Sequence, residues 1–174
     1  MEDNILSTSI NIAGIINESI VDGPGIRLVV FAQGCPHRCE GCHNPQTHPF
    51  EGGKPVSQDD IMDMVAKNSL LDGVTFSGGE PFSQAKAFAL LGQRLKDLGM
   101  NIMTYTGYTY EELLEGSNET NGWQSLLDVT DILVDGKFDI KSKNLLLAFR
   151  GSENQRIIDM NKTREQHKIV LLPL

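Results

Sequence analysis

The sequence predicts an α/β fold with a mainly parallel sheet, either open or partly closed into a barrel. Two observations predict this class. Short β-branched or apolar runs alternate along the chain with amphipathic helical segments, and unusual loops follow four of these runs. With 174 residues, 40% of them hydrophobic, the chain has the length and composition of one globular domain covering residues 1–174.

The first half of the chain predicts two strands and one helix. The apolar run of residues 26–32 reads as a buried strand, introduced by a turn at residues 22–25. Ser57 is expected to cap a helix with an apolar face. Residues 73–76 read as a second strand that ends in the loop of residues 77–81.

The second half continues the alternation. An apolar stripe at spacings of three and four predicts a helix that ends at Gly99, and short apolar runs predict the strands. The predicted elements are a helix over residues 83–98, a strand over 101–105, short helices over 110–114 and 123–127, and strands over 131–135, 156–160 and 168–172.

Four loops are expected to meet at one edge of the sheet, because the carboxyl ends of parallel strands face the same way. The first of these loops contains all the cysteines and spans residues 35–43. The others are residues 78–80, 106–107 and 135–137. The sequence therefore predicts a functional site at this edge.

Composition argues against two classes of partner. The chain has 23 acidic and 15 basic residues, a net charge of −8, and no basic run of the kind that binds nucleic acid. No stretch approaches the roughly 18 consecutive apolar residues of a membrane-spanning helix. Residues 1–4 are acidic where a secretory signal is basic. We expect a cytoplasmic protein with no nucleic-acid or membrane partner.

The cysteine loop is the most informative segment. Its three cysteines, Cys35, Cys39 and Cys42, lie within eight residues, which is a poor disulfide framework. This spacing lets one loop wrap a cubic iron–sulfur cluster with one thiolate on each of three irons. Electron carriers use four cysteines, and this chain has only three. One iron would stay open, as a catalytic metal requires.

Two other interpretations of the same loop stay open at this point. Three cysteines and one histidine also form an accepted zinc site, which His37, His43 or His48 would complete. The three thiols could instead be buried without a metal. His48 lies in a proline-rich loop, where a solvated side chain is the ordinary expectation.

A Cys-x3-Cys-x2-Cys loop after the first strand, with a Gly-Gly-Glu loop after the second, resembles the radical S-adenosylmethionine superfamily. The resemblance implies a partial parallel β/α barrel and a 4Fe–4S cluster on Cys35, Cys39 and Cys42. The amino and carboxylate groups of S-adenosylmethionine would chelate the open iron. Gly41 stands where many members have an aromatic residue. The resemblance therefore leaves adenine contacts to the Gly41 backbone or to His43, and Cys42 between them also counts as a cofactor-binding residue.

The same resemblance assigns roles to two further loops. Gly78 and Gly79 would approach the methionine end of the ligand, with Glu80 as a candidate acceptor for its amino group. Thr106 would either line the pocket or be an ordinary turn residue. The ordinary alternative for residues 77–81 is a glycine-rich strand-to-helix turn with Glu80 in the first helical turn.

Further motifs narrow the family. Asp-Gly-Pro-Gly-x-Arg at residues 22–27 resembles activating enzymes of glycyl radical enzymes, although a plain β-turn is also possible and neither Asp22 nor Arg27 has a defined role. Residues 105–108, 133–138 and 149–156 resemble activating proteins of anaerobic ribonucleoside-triphosphate reductase, and this likeness runs from residue 15 to residue 159. Glu153 departs from it, since the family often has a small residue there.

The charged residues of these motifs have two interpretations. Lys137 and Arg150 either line the pocket or are ordinary solvated cations.

The resemblance implies an oxidoreductase that cleaves S-adenosylmethionine reductively into methionine and a 5′-deoxyadenosyl radical. The radical would take a hydrogen from a glycine on the large subunit of the reductase. A low-potential donor such as flavodoxin would supply the electron. The alternatives are an activating enzyme of another glycyl radical enzyme, of the pyruvate formate-lyase type, or a non-enzymatic zinc or iron–sulfur regulatory module.

Overall fold

Seven strands and five α-helices are formed by residues 9–174, the part of the chain that the computed structural model describes. The strands are β1 (Ser9–Ser19), β2 (Arg27–Ala32), β3 (Lys54–Ser57), β4 (Gly73–Gly78), β5 (Asn101–Tyr105), β6 (Ile132–Asp135) and β7 (Arg156–Asp159). The helices are α1 (Gln58–Ala66), α2 (Ala85–Asp97), α3 (Tyr110–Gly116), α4 (Trp123–Val129) and α5 (Met160–Gln166). Residues 1–4, on which the argument against a secretory signal depends, lie outside the described residues. No helix of residues 9–174 has the length and apolarity needed to cross a bilayer.

The strands form one open sheet in the order β3-β1-β2-β4-β5-β6-β7. The four central strands, β2, β4, β5 and β6, run parallel to one another. The flanking strands β1, β3 and β7 are antiparallel to their neighbours. The sheet does not close on itself, which confirms the predicted partial parallel β/α barrel.

The two faces of the sheet are covered differently. The helices cover the outer face, where Phe76 of β4 packs against Phe88 of α2 with ring centroids 4.8 Å apart. The inner face carries a smaller apolar cluster that includes Met103 and Val134, with Phe149 and Leu172 packed against it. Alternation of side chains along each strand separates the two clusters.

Local signals start the helices where the sequence predicts them. The Asp60 amide donates to the Ser57 hydroxyl at 3.1 Å, as expected for the cap of α1. Thr109 and Glu112 form a reciprocal capping box at α3. The predicted helix over residues 83–98 begins two residues later, because a 3₁₀ turn at Pro81–Gln84 precedes α2.

Three segments differ from the prediction. Strands β1 and β3 were not predicted. Bulges between residues 12 and 14 and between 16 and 19 interrupt the alternation of β1. The predicted strand over residues 168–172 is wrong in extent, because the pairing is limited to one bridge between Leu171 and Ile158. Two backbone hydrogen bonds flank that bridge, from the Asp159 amide to the Val170 carbonyl and from the Leu172 amide to the Ile157 carbonyl, each at 2.8 Å.

Arg27 is a buried structural residue, which decides a question that the sequence left open. Its side chain is 1% exposed, and burial lowers its pKa to about 10. The guanidinium donates to the Thr75 hydroxyl at 2.8 Å and to the Asn101 side-chain oxygen at 2.9 Å. It also donates to the carbonyls of Pro24, Val74 and Asn101. Arg27 therefore ties together the amino-terminal ends of β2, β4 and β5, away from the predicted site.

Candidate active site

A cavity of about 450 Å³ lies at the carboxyl edge of the four parallel strands. All four loops that the sequence placed at this edge contribute to its lining, which confirms their convergence. The lining includes Cys35, Cys39 and Cys42 after β2, Ser77, Gly78 and Gly79 after β4, Thr106 and Gly107 after β5, and Gly136 and Phe138 after β6.

The cysteine loop is closed at its base by hydrogen bonds. The Gly34 amide donates to the Thr47 carbonyl at 2.7 Å, and the Cys35 amide donates to the His48 carbonyl at 3.0 Å. The Gln33 side chain donates to the Pro49 carbonyl at 2.6 Å. These bonds join the two ends of the loop, so the cysteines are presented from a closed base.

The cysteine side chains all face the cavity. Cys35 is 8% exposed, and burial raises the pKa of its thiol. Cys39 and Cys42 are half-buried. Backbone amides of residues 37 and 38 favour the thiolate in part, and a bound metal ion would favour it further. No three side chains of His, Cys, Asp or Glu within residues 9–174 stand close enough together to share one metal ion.

The loop reverses direction between the cysteines. Arg38 and Gly41 adopt φ values of 50° and 75°, in the left-handed region. A side chain at position 41 would come within 2.7 Å of the Ile140 side chain. The left-handed φ, more than the contact with the movable end of Ile140, gives a physical reason for glycine where the resembling family often has an aromatic residue.

Glu80 is the shared acceptor that joins three of the loops. Its side chain is fully buried, and one oxygen accepts hydrogen bonds from His37 Nε2 at 2.7 Å and from the Thr106 hydroxyl at 2.7 Å. The Gly107 amide donates to the same oxygen at 2.9 Å, and the Phe82 amide donates to the other at 3.1 Å. Glu80 thus connects the cysteine loop to the loops after β4 and β5.

His37, which donates to Glu80, also packs closely against the loop that follows β5. Its ring meets Tyr108 edge-on, with centroids 4.5 Å apart. A Cβ atom on Gly107 would stand 2.4 Å from the His37 ring. Because Nε2 is bonded to Glu80, this nitrogen of His37 is engaged away from the cysteines. The sequence contained no signal for this role, since it depends on residues 43 and 70 positions further along the chain.

The two glycines after β4 allow the close approach of another loop. The amides of Gly79 and Glu80 donate to the carbonyls of Ala32 and Gly34, each at 2.8 Å. A Cβ atom on Gly79 would lie 2.3 Å from the Gly34 carbonyl oxygen, and one on Gly78 would lie 2.4 Å from the Ala32 nitrogen. The glycines are therefore required for docking against the base of the cysteine loop, besides leaving room for a ligand.

Replacing Gly79 with alanine should displace the base of the cysteine loop, because the new Cβ meets backbone and not a flexible side chain. We expect a loss of about 1–3 kcal/mol in the free energy of unfolding and a lower iron content after reconstitution. Gly14→Ala is the matched control, since a Cβ there meets nothing within 4 Å. Equal iron content and stability in the two variants would contradict this account.

The remaining wall of the cavity comes from the loop between β6 and β7. His43 packs edge-on against Phe138, with ring centroids 5.4 Å apart. The Tyr105 hydroxyl donates to the Phe149 carbonyl at 2.5 Å, and burial raises the pKa of Tyr105. The Gln155 side chain accepts hydrogen bonds from the backbone amides of residues 151 and 152.

The sequence identified part of this lining. Cys35, Cys39, Cys42, His43, Gly78, Gly79, Thr106 and Arg150 all line the cavity as predicted. Glu80 is buried behind it, Gly41 is exposed outside the lining, and Lys137 is exposed and does not line it. Asp22, Phe149 and Gln155 line the cavity although the sequence gave them no role. They lie in quoted motifs, but only the fold brings them to the site.

A family comparison, together with this geometry, places the chain in the class of iron–sulfur proteins that bind a single 4Fe–4S cluster. Residues 21–158 match the family model described as a 4Fe-4S single cluster domain. That range contains the cysteine loop and all of the parallel strands. Of the metal centres that the cysteine loop allowed, the match selects the iron–sulfur cluster over zinc.

Curated relatives identify the particular family. A protein of Vibrio cholerae is 36% identical over 149 residues, covering 79% of this chain and 90% of that protein. One of Escherichia coli is 34% identical over 146 residues, covering 78% and 90%. Both are named anaerobic ribonucleoside-triphosphate reductase-activating protein. The chain belongs to this family.

A solved structure is also similar in part. The crystal structure of QueE from Escherichia coli matches with a TM-score of 0.43 and 18% identity, over 58% of this chain and 53% of that one.

Proposed function

We propose that this protein activates an anaerobic ribonucleoside-triphosphate reductase by generating a glycyl radical on its large subunit. The observation that carries the proposal is the convergence of three cysteines from one loop on a cavity lined by the loops that follow all four parallel strands. Membership of the activating-protein family supports the same activity.

Cys35, Cys39 and Cys42 would hold the 4Fe–4S cluster. They fit because their thiols face one cavity, and because a bound metal would favour the thiolate of Cys35, which burial disfavours. The chain has no fourth cysteine, so one iron stays free for S-adenosylmethionine. When bound, the reduced cluster supplies one electron to the sulfonium, whose bond to the ribose 5′ carbon then breaks to give methionine and a 5′-deoxyadenosyl radical.

The loops around the cavity would bind and orient S-adenosylmethionine. We assign the methionine end to the backbone of Gly78 and Gly79, which line the cavity. We assign the adenine end to the backbone of Cys42 and to His43, which line the cavity, and the His43 ring stands beside Phe138. Gly41 lies outside the lining and has no ligand contact in this proposal.

Glu80 and Thr106 have a different place in this proposal. Their side chains bond to each other, and Glu80 is fully buried. Glu80 does not line the cavity, so a direct bond to the methionine amino group would require its side chain to move out of its buried position. We therefore assign both residues to positioning the loops that carry the ligand contacts.

The target of the radical would be a Cα–H bond of a glycine, because the flanking amides stabilise the product radical. The open side of the sheet suits a substrate that arrives as part of a folded partner. Water must be excluded around the radical, so the partner would supply part of the cavity wall. We also propose a low-potential donor such as flavodoxin, and a reducing, cytoplasmic location that keeps the three thiols free.

The first test replaces Cys39 with alanine and measures iron content and S-adenosylmethionine cleavage together under anaerobic conditions. We expect both to fall at least about tenfold, because each thiolate anchors one iron. The unchanged protein should be brown, with about four irons. A colourless protein that holds one zinc would support the regulatory module instead, and full retention of iron and cleavage in the variant would reject the site.

The second test separates the target from the cleavage reaction. Reductase labelled with deuterium at glycine Cα should transfer its label to 5′-deoxyadenosine when this protein is reduced in its presence. Reductase labelled at alanine is the control and should transfer none. Cleavage without label transfer would retain the enzyme class but reject the glycine target.

A further inference from the structure

An apolar turn stands exposed at the mouth of the cavity. Leu146 is 94% exposed and Leu145 is 80% exposed. Leu145 and Leu147 also line the cavity, so the turn of residues 144–147 is continuous with the site. Single exposed apolar side chains are ordinary, but adjacent ones at the rim of a functional cavity mark a surface that becomes covered.

The turn is held in place by polar contacts. The Leu146 amide donates to the Asn144 side-chain oxygen at 2.9 Å, and the Asn144 amide donates to the Gly151 carbonyl at 3.1 Å. An antiparallel bridge between Lys143 and Ser152 closes the segment behind it. Leu146 is thus presented in a defined place without being buried. Because the backbone of the turn is already held, this chain loses little conformational freedom when a partner covers Leu146.

The surrounding charge differs from that of the rest of the chain. Residues 137–153 contain four basic residues and two acidic ones, whereas the whole chain has a net charge of −8. One of the two acidic residues, Glu153, accepts a hydrogen bond from the Asn144 side chain at 3.2 Å. Lys137, Lys141 and Lys143 are exposed, and none forms an ion pair with another residue of the described range 9–174. This arrangement complements a surface that is apolar at its centre and acidic around it.

We propose that the Leu146 turn docks the glycine-bearing region of the reductase, which would present an apolar contact with acidic groups around it. The inference rests on the proposed function, because a glycine that reacts inside this cavity must pass this rim. A second copy of the chain seated on the same turn would obstruct the mouth against the substrate. The reductase is therefore the occupant that the geometry favours.

The experiment uses Leu146→Ser, because a side chain that is 94% exposed can be changed without affecting the fold. Cleavage of S-adenosylmethionine without reductase should be unchanged. Glycyl radical formation at limiting reductase, followed by electron paramagnetic resonance, should fall about tenfold and recover at high reductase concentration. The dissociation constant for the reductase, measured by calorimetry on the cluster-loaded protein under anaerobic conditions, should rise by the same factor.

Two control variants accompany it. Leu146→Met retains an apolar side chain and should behave like the unchanged protein. Leu70→Ser alters a side chain that is 60% exposed in the connection leading into β4, at the opposite end of the strands, and should have no effect.

The outcomes separate this inference from the proposed function. Radical formation and reductase affinity within twofold of the unchanged protein would overturn the docking assignment and leave the activity intact. Loss of a homodimer in sedimentation, with unchanged reductase affinity, would also overturn it. If the unchanged protein cleaves no S-adenosylmethionine, the proposed function fails, and the affinity measurement still decides whether Leu146 contacts the reductase.

Discussion

Glu80→Ala should destabilise the metal-free protein by about 3–5 kcal/mol, because it removes one buried acceptor from several donors. His37, Thr106 and the amides of Phe82 and Gly107 all donate to this carboxylate. Its loss also frees the cysteine loop from the loop after β5. We expect a lower midpoint of urea unfolding and a several-fold loss of iron on reconstitution.

Two further variants interpret the result. Glu80→Gln keeps the shape and one acceptor oxygen, so its stability should lie between those of the alanine variant and the unchanged protein. Glu115→Ala removes an exposed carboxylate of α3 and should have little effect. Unchanged stability in Glu80→Ala, together with lost affinity for S-adenosylmethionine, would favour the direct ligand contact that the motif first suggested.

Arg27→Met should lower the free energy of unfolding by a similar amount, about 3–5 kcal/mol, for a different reason. Methionine fills much of the same space but donates no hydrogen bonds. The carbonyls of Pro24, Val74 and Asn101 would lose a buried donor at the start of three strands. Urea unfolding should have its midpoint lower by roughly 1–2 M.

Arg94→Met is the matched control for this prediction. Arg94 is 41% exposed and pairs with Asp59, which is 82% exposed, so its loss should cost about 1 kcal/mol or less. Since Arg27 lies at the amino ends of the strands, the folded Arg27→Met protein should bind iron normally in the cold. Normal stability with lost cleavage would instead place Arg27 in the active site.

Local patterns predicted the centre of the fold correctly. Buried apolar runs predicted β2, β4, β5 and β6, because parallel strands covered on both faces leave little room for polar side chains. Ser57 and Thr109 begin helices through contacts within three residues, so their roles depend on neighbours in the sequence. The edges were less predictable, since β1 and β3 are stabilised by pairing with distant strands.

The features of the candidate site also fall into those that the sequence predicts and those that depend on distant contacts. The sequence by itself determined the cysteine spacing, the absence of a fourth cysteine, and the loops that meet at one edge of a parallel sheet. These are properties of short segments or of chain direction. Only the tertiary structure decided that Glu80 is a buried hydrogen-bond acceptor and that Arg27 is a buried hydrogen-bond donor. It also decided that Gly79 accommodates a neighbouring backbone, and that Leu146 stands at the rim. Each of those roles depends on contacts with residues that are distant along the chain, so a local sequence pattern cannot predict it.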